Sequence, residues 1–187
     1  IITFYRNVLA LKIPTLSILL GASIKVNDYG LYGCTLLCCK GLRSALEFSV
    51  RYHNLATKTV NMSLNVDKTS GYSHFRFEDL LFATDLIEFN IEFQCVIVLS
   101  LVRECLDNSN FAFDELRLTF AQPNNFQVYE DHFQCPIIYG SSYNEFVLTN
   151  NKLLLSTPRS NPFAMPLLLD QCDLVLNSIA AKNEFLI

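Results

Sequence analysis

Residues 28–55 read DYGLYGCTLLCCKGLRSALEFSVRYHNL, and the pattern of this stretch changes at Gly41. Before Gly41 there is almost no charge, and Gly30 and Gly33 stand three residues apart. Glycine lets a neighbouring backbone approach closely, or provides a turn that other residues do not tolerate. Residues 42–56 then show the 3.6-residue period of a helix with one inward face. The stretch predicts a closely packed glycine segment that leads into an amphipathic helix.

The inward face of the predicted helix ends in polar side chains. Its members are Leu42, Ala45, Leu46, Ser49, Tyr52, His53 and Ala56. A buried hydroxyl or imidazole without a hydrogen-bond partner costs about 1–3 kcal/mol, so Ser49, Tyr52 and His53 each require a partner. Main-chain carbonyls would make them ordinary core residues, whereas a small molecule would make them the lining of a pocket. Both interpretations remain open at this point.

Arg51 is a fourth candidate for a ligand-binding residue, although it lies on the outward face of the helix. Its guanidinium could turn toward a carboxylate ligand, which it would bind with two hydrogen bonds. Glu47 precedes Arg51 by four residues, which is the favourable order for an ion pair on a helix. We therefore expect these two residues to pair when no ligand is bound.

The composition indicates a globular chain with a large core. Of its 187 residues, 51% are hydrophobic and 17% are charged, and the net charge is −4. A domain that holds nucleic-acid phosphates has a basic face, and no Lys/Arg run is present, so these residues are not expected to bind nucleic acid. The longest apolar run, residues 95–102, is too short to cross a bilayer, so no membrane association is expected.

The cysteines and histidines do not form a pattern typical of a metal site or an enzyme. Seven cysteines lack the spacing of a disulfide scaffold, which favours a reducing, cytoplasmic setting. Cys34, Cys38 and Cys39 have no second Cys/His cluster with which to complete a zinc site. Cys135 with His132 is a weak nucleophile candidate, since their closeness follows from sequence proximity alone. We predict no catalytic residues, no metal and no cofactor.

The periodicities predict an α+β fold with an antiparallel sheet of short strands packed against several helices. Residues 61–66 and 72–77 alternate on either side of a turn and indicate a hairpin. Residues 86–106 form the longest predicted helix, and its middle, residues 95–102, is apolar nearly all round, so the helix should be largely buried. Further short strands are predicted at 115–121, 137–139 and 145–148, with the last two as partners, and a short helix at 126–133.

The chain is expected to divide after residue 156. Residues 156–166 hold three of the six prolines and predict a semi-rigid connection to a last helix at 167–182. We expect a domain at 1–156, followed at 157–187 by a linker and a helix. The apolar stripe of that helix is expected to pack on the domain, or on a second copy of the chain.

Several segments together resemble the effector-binding domain of AraC/XylS-type bacterial transcription regulators. One branch of that family has a Gly-Leu-x-Gly segment followed by a helix of the type Leu-x-x-Ala-Leu-x-x-x-x-Arg-Tyr, as in residues 29–55 here. Four later segments fit the family pattern: LRLTFAQP at 116–123, YEDHFQCP at 129–136, IYG at 138–140 and NEF at 144–146. The last helix adds Gln171-Cys172. The resemblance extends over about residues 16–172.

The resemblance implies a regulatory domain that senses a small molecule, and it leaves room for a homodimer. It implies that the helix-turn-helix domain that binds DNA would follow Ile187, and that the first helices of the family are shortened here. We expect a fairly apolar effector between the helix at 42–56 and the sheet, bonded by Ser49, Tyr52 or His53. The alternatives are a haem-type sensor with His53 or His132 as axial ligand, and a pure dimerisation module.

Overall fold

The computed structural model describes residues 1–184, which form seven α-helices and one five-stranded sheet. The helices are α1 (Ile2–Ala10), α2 (Leu16–Ser23), α3 (Gly30–Cys38), α4 (Leu42–Tyr52), α5 (Ile87–Leu106), α6 (Phe126–Phe133) and α7 (Met165–Glu184). The strands are β1 (Val60–Val66), β2 (Tyr72–Asp79), β3 (Glu115–Arg117), β4 (Ile137–Ile138) and β5 (Asn144–Thr149). The predicted α+β class is confirmed.

The sheet is open and mostly antiparallel, with strand order β1-β2-β5-β3-β4. The predicted hairpin is β1 and β2, which pair with Leu64 opposite Phe75. Phe75 and Phe77 alternate with His74 and Arg76 along β2, so the phenylalanines face the core while the charged side chains lie on the outer face. This alternation is why a hairpin could be recognised from sequence.

The predicted partners of the last strands are wrong. We expected β4 to pair with β5, but β4 pairs in parallel with β3, and β5 lies between β2 and β3. Four successive residues of β5, from Glu145 to Leu148, are buried because neighbouring strands flank it on both sides. Alternation within a strand predicts its faces but not its neighbours, which explains the error.

Helix α5 is the centre of the molecule, as its apolar composition predicted. Thirteen of its twenty residues are buried. Ile91, Cys95 and Leu99 belong to the apolar cluster that fills the space under the sheet. Phe89, Phe93, Ile97, Leu101 and Cys105 belong to a second cluster, on the side of α1, α3 and α7. A helix with apolar clusters on two sides needs apolar residues on most of its circumference.

The two glycines before α4 have the two roles that the sequence indicated. Gly30 has a φ of +51°, a conformation that other residues rarely adopt. Gly33 lies against the turn that precedes α3, where a Cβ atom would approach the carbonyl oxygen of Val26 to 1.8 Å. Helix α3 therefore packs directly on the backbone of that turn, which places it beside α4.

The segment after residue 154 runs back along α3 and leads into α7. The amide of Leu42 donates to the carbonyl of Leu155 at 2.8 Å, and the Thr157 hydroxyl donates to the carbonyl of Cys39. Four side chains of α7 then form its inward stripe: Met165, Leu169, Cys172 and Leu176. Val175 is 40% exposed and lies outside this stripe. Within residues 1–184, no helix is long and apolar enough to cross a membrane.

Candidate functional site at the end of helix α4

The four candidate residues lie at the end of α4 and separate into two groups. Ser49 and His53 lie inside the domain and are 8% and 6% exposed. Tyr52 has a buried ring, and its hydroxyl reaches α7, as does the guanidinium of Arg51. The structure therefore brings Arg51 and Tyr52 together at one surface, and it places Ser49 and His53 elsewhere.

Ser49 has its hydrogen bonds satisfied within the helical layer. Its hydroxyl donates to the carbonyl of Ala45 at 2.9 Å and accepts from the hydroxyl of Tyr32 at 3.0 Å. A buried serine that donates one turn back along its own helix is a common solution for this residue type. The hydroxyl therefore needs no ligand to offset its burial.

A small cavity lies beside Ser49, among α3, α4 and α5. Its lining is mainly aliphatic, and its volume is about 20 Å³. A volume of this size holds about one water molecule and not an effector. On the sheet side of α4, Leu42 and Leu46 pack in one apolar cluster with Val60 and Phe75. The space in which we expected the effector is thus filled by core side chains.

His53 follows α4 directly and begins a short 3₁₀ turn, His53–Leu55. Its Nδ1 lies 3.0 Å from the carbonyl oxygen of Val50. Because the carbonyl can only accept, Nδ1 carries the proton in this contact. This bond agrees with the first of the two interpretations of the sequence, in which a main-chain carbonyl is the hydrogen-bond partner of the buried histidine.

Tyr52 combines a buried ring with a hydroxyl at the domain surface. The ring packs against Phe48 with centroids 4.9 Å apart, and Phe48 packs against Tyr32 at 5.2 Å. The hydroxyl donates to Oδ1 of Asp173 at 2.7 Å. Burial, together with the hydrogen bond to Asp173, raises the pKa of Tyr52 to about 12. Tyr52 is therefore a protonated donor throughout the neutral range.

Arg51 binds the same carboxylate on α7. Its Nη2 lies 3.1 Å from Oδ1 and 3.2 Å from Oδ2 of Asp173, and its guanidinium lies 4.9 Å from the centre of the Tyr52 ring. The predicted pair with Glu47 is wrong, because Glu47 instead accepts from Nε of Arg43 at 2.8 Å. Arg51 is therefore available to bind a carboxylate, as a ligand-binding role requires.

These residues line an open groove between α7 and the ends of α3 and α4. Its volume is about 780 Å³, within the range of small-molecule sites. The apolar part of its lining is Cys38, Pro162, Met165, Pro166 and Leu169. The polar part is Lys40, Arg51, Tyr52, Ser160, Asp170 and Asp173. An apolar wall beside convergent polar groups is typical of a binding site for a small organic molecule.

The cysteines do not provide a nucleophile at this site or near His132. Burial raises the pKa of Cys135 to about 11, and burial also raises the pKa of Cys38, the cysteine in the groove, so both thiols stay protonated near neutral pH. A thiol attacks as the thiolate, so neither is activated. Within the described part of the chain, no three His, Cys, Asp or Glu side chains are grouped closely enough to hold a metal ion.

The environment of His132 bears on the haem alternative. Burial and the nearby Arg103 lower its pKa, so the imidazole is neutral at pH 7. Its Nε2 is buried and has no hydrogen-bond partner among residues 1–184. A neutral imidazole nitrogen is the form that binds a metal. The Nδ1 contact of His53 with a main-chain carbonyl does not exclude this residue either, because a metal-binding histidine commonly donates its other ring N–H to a carbonyl.

Asp173 is the site residue that sequence reasoning missed. It lies 121 positions after Tyr52 and 122 after Arg51. The only local signal is its place beside Cys172, next to the inward stripe of α7, and many charged residues flank such stripes. Only the docking of α7 on the domain shows that Asp173 meets both side chains.

Comparison with known proteins identifies relatives of this domain. Residues 6–156 match the family described as the arabinose-binding domain of AraC transcription regulators, N-terminal. The crystal structure of the transcriptional regulator CdpR from Pseudomonas aeruginosa is similar with a TM-score of 0.65 at 16% sequence identity, a likeness of fold. That match covers 86% of this chain and 58% of the CdpR chain. No curated protein sequence matches significantly.

Proposed function

This chain belongs to the family of arabinose-binding domains found at the N-terminus of AraC transcription regulators, and from that premise we propose that it senses a small molecule for such a regulator. In this proposal residues 1–156 form the effector-binding domain, and residues 157–187 form a linker and helix that lead toward the part that binds DNA. Residues 185–187 lie outside the described part of the chain. A regulator of this kind would act in the bacterial cytoplasm.

The groove at the end of α4 is the observation that carries the proposal. It has the volume of a small-molecule site, and its polar groups come from both the domain and α7. An effector that binds there contacts the two parts at once. A ligand shifts a conformational equilibrium only by its differential affinity for the two arrangements. A site shared by the domain and α7 provides such a difference, because its geometry changes whenever α7 moves.

DNA contact is assigned to another domain of the regulator. The chain carries a net charge of −4 and has no basic run, so it lacks the positive surface that binds phosphates. Helix α7 would instead transmit effector binding in the groove to the part of the regulator that binds DNA. Its inward stripe holds it against α3, and the linker before it is hydrogen-bonded to residues 38–42.

A thermal-shift screen tests the proposal. Metabolites are titrated against the melting temperature of the 187-residue chain, of Tyr52→Phe and of Arg51→Gln. We expect at least one compound to stabilise the wild type, since a ligand that binds only the folded state adds RT ln(1 + [L]/Kd) to stability. The same compound should stabilise the two variants less, because each variant removes a donor from the groove.

Matched control variants keep this test specific. Arg43→Gln makes the same change on α4 but away from the groove, and Tyr72→Phe removes a hydroxyl from β2, where the side chain is 44% exposed. Both should respond to the compound as the wild type does. Equal shifts in all five proteins would remove Arg51 and Tyr52 from the site. Mutation of Ser49 and His53 should affect stability more than binding, because both side chains are buried and neither lines the groove.

The haem alternative keeps one observation in its favour, the unpartnered Nε2 of His132. An absorption spectrum of freshly purified protein decides this question. A Soret band that is lost in His132→Ala would support the haem-type sensor. A spectrum with no absorption beyond the aromatic band would support the effector-binding function. Dimerisation stays a prediction, for which light scattering coupled to size-exclusion chromatography is the measurement.

A further inference from the structure

The carboxylate of Asp173 is bound in the way in which Arg51 and Tyr52 would bind the carboxylate of a ligand. Its Oδ1 accepts from the Tyr52 hydroxyl at 2.7 Å, and both of its oxygens lie 3.1–3.2 Å from Nη2 of Arg51. A guanidinium and a phenol that converge on one carboxylate are a common recognition unit for carboxylic acids. In this structure the chain itself supplies the acid.

This internal carboxylate is accessible enough to be exchanged. The side chain of Asp173 is 42% exposed, and that of Arg51 is 64% exposed. A partly solvated ion pair of this kind is weak, since water competes for both charges. A free carboxylate at sufficient concentration can therefore replace Asp173 without the cost of opening the core.

The groove beside this pair fits the rest of such a ligand. Met165, Pro166 and Leu169 form an apolar wall, and Lys40 adds a second cation to the lining. These groups suit a small monocarboxylic acid with an apolar body. The second carboxylate of the lining, Asp170, disfavours a ligand with more than one negative charge.

Release of Asp173 would weaken the docking of α7. Among the side chains that the structure describes, Asp173 makes the hydrogen bonds of α7 with α4. Cys172, next to it in sequence, is fully buried. The Cys172 thiol lies 3.4 Å from the Thr35 hydroxyl. Movement of α7 away from the domain therefore exposes a thiol that is covered in this structure.

We propose that Asp173 is an internal competitor for the effector site, and that a small carboxylic acid with an apolar body displaces it from Arg51 and Tyr52 and so loosens α7. This inference rests on the proposed function and adds the chemical class of the effector and the way in which binding reaches α7. Asp173 and the ligand carboxylate cannot occupy Arg51 and Tyr52 at the same time. The ligand therefore binds the state with Asp173 released more tightly than the state with Asp173 docked, and regulation requires such a difference in affinity.

Octanoate, with octanamide as the uncharged control, tests the proposal on the 187-residue chain. Binding is measured by calorimetry for the wild type, Asp173→Asn and Asp170→Asn. We expect Asp173→Asn to bind octanoate about tenfold more tightly, because it loses a competing hydrogen bond to a charged group. Asp170→Asn removes the same charge from the same groove without a bond to Tyr52, so it should gain only the smaller part of the affinity that comes from reduced charge repulsion.

The position of α7 is followed independently by the rate at which iodoacetamide alkylates Cys172, measured by peptide mass spectrometry. Cys34, which is exposed on α3, is the internal reference. Octanoate should raise the Cys172 rate in the wild type, and octanamide should not. Asp173→Asn should raise that rate about tenfold without any ligand, since it lacks the bond that holds α7.

Three results would overturn the proposal. The first is equal affinity for octanoate in wild type and Asp173→Asn, or an equal gain in Asp170→Asn. The second is a Cys172 rate that neither octanoate nor Asp173→Asn changes. The third is absence of octanoate binding to either protein. Failure of the proposed function is a separate result, namely a metabolite screen in which no compound depends on Arg51 or Tyr52.

Discussion

The hydrogen bond between Tyr52 and Asp173 should hold α7 on the domain even when no ligand is present. Tyr52→Phe removes only the hydroxyl and leaves the ring packed against Phe48. A hydrogen bond to a charged group contributes about 1.5–3 kcal/mol. The lower end of this range applies, because the Asp173 side chain is 42% exposed and water can replace the lost donor. We expect Tyr52→Phe to lower the free energy of unfolding by about 1.5 kcal/mol.

A double-mutant cycle isolates this interaction from the other effects of each change. Asp173→Asn should cost about 2 kcal/mol, since it also loses the ion pair with Arg51, for which an exposed pair adds about 0.5 kcal/mol. The double variant should cost about the same as Asp173→Asn alone, because the hydroxyl then has no charged acceptor to lose. The expected coupling energy is about 1–1.5 kcal/mol.

Urea denaturation followed by circular dichroism measures the global free energy of unfolding, and amide hydrogen exchange of residues 165–181 measures the opening of α7 by itself. Tyr72→Phe is the control, and it should change neither quantity by more than about 0.5 kcal/mol. Additive effects of Tyr52→Phe and Asp173→Asn, with a coupling energy below about 0.3 kcal/mol, would refute this reasoning. The hydrogen bond between Tyr52 and Asp173 would then contribute nothing measurable to the docking of α7 on the domain.

Three further predictions concern the packing and the buried charges. Gly33→Ala should lower the free energy of unfolding in urea by about 3 kcal/mol, because its Cβ would collide with the backbone at Val26. Gly140→Ala should lower it by only about 1–2 kcal/mol, because its Cβ meets no atom within 4 Å and the cost comes from the positive φ alone. Burial raises the pKa of Glu92 to about 7, so ionisation of this side chain destabilises the fold as the pH rises from about 4.5 through 7. The stability of Glu92→Gln relative to the wild type should therefore rise by up to about 3 kcal/mol between pH 4.5 and pH 8. Burial alone would raise the pKa of Glu145, but its hydrogen bonds to Arg76 and His74 outweigh it and lower that pKa, so its stabilising contribution is present above pH 4.5 and is lost in acid. Glu145→Gln should therefore lose about 3 kcal/mol at pH 7 and show a smaller deficit at pH 3, and an unchanged deficit at pH 3 would contradict this account.

The helices and the hairpin could be predicted because their signals are local. Residues 95–102 are apolar on nearly every side, and α5 is buried on most of its circumference. The predicted helix at 126–133 has the bounds of α6, and the alternation at 61–66 and 72–77 marks β1 and β2. In each case the residues that decide the structure lie within one or two turns, or within one strand. Their spacing alone therefore carries the information.

The partners of β5 and the course of the groove could not be predicted in the same way. Strand β5 pairs with β2, some seventy residues earlier, and the alternation of its side chains is the same for any neighbour. The groove requires α7 to lie against α3, which depends on the shape of the surface that α3 and α4 form together. Periodicity within α7 identifies an apolar stripe but not the surface that this stripe covers.

The residues of α4 show this division most clearly. By itself the sequence determined that Ser49, Tyr52 and His53 would be buried polar groups in need of partners, because helical period and the cost of an unpaired donor act within a few residues. The acceptors of Ser49 and His53 are local as well, since the carbonyls of Ala45 and Val50 lie about one turn earlier. Tertiary structure decided the partners on other elements, which are Tyr32 for Ser49 and a carboxylate 121 residues away for Tyr52. A partner on another element comes within reach only when distant segments pack, since the apolar contacts that join them do not depend on sequence separation.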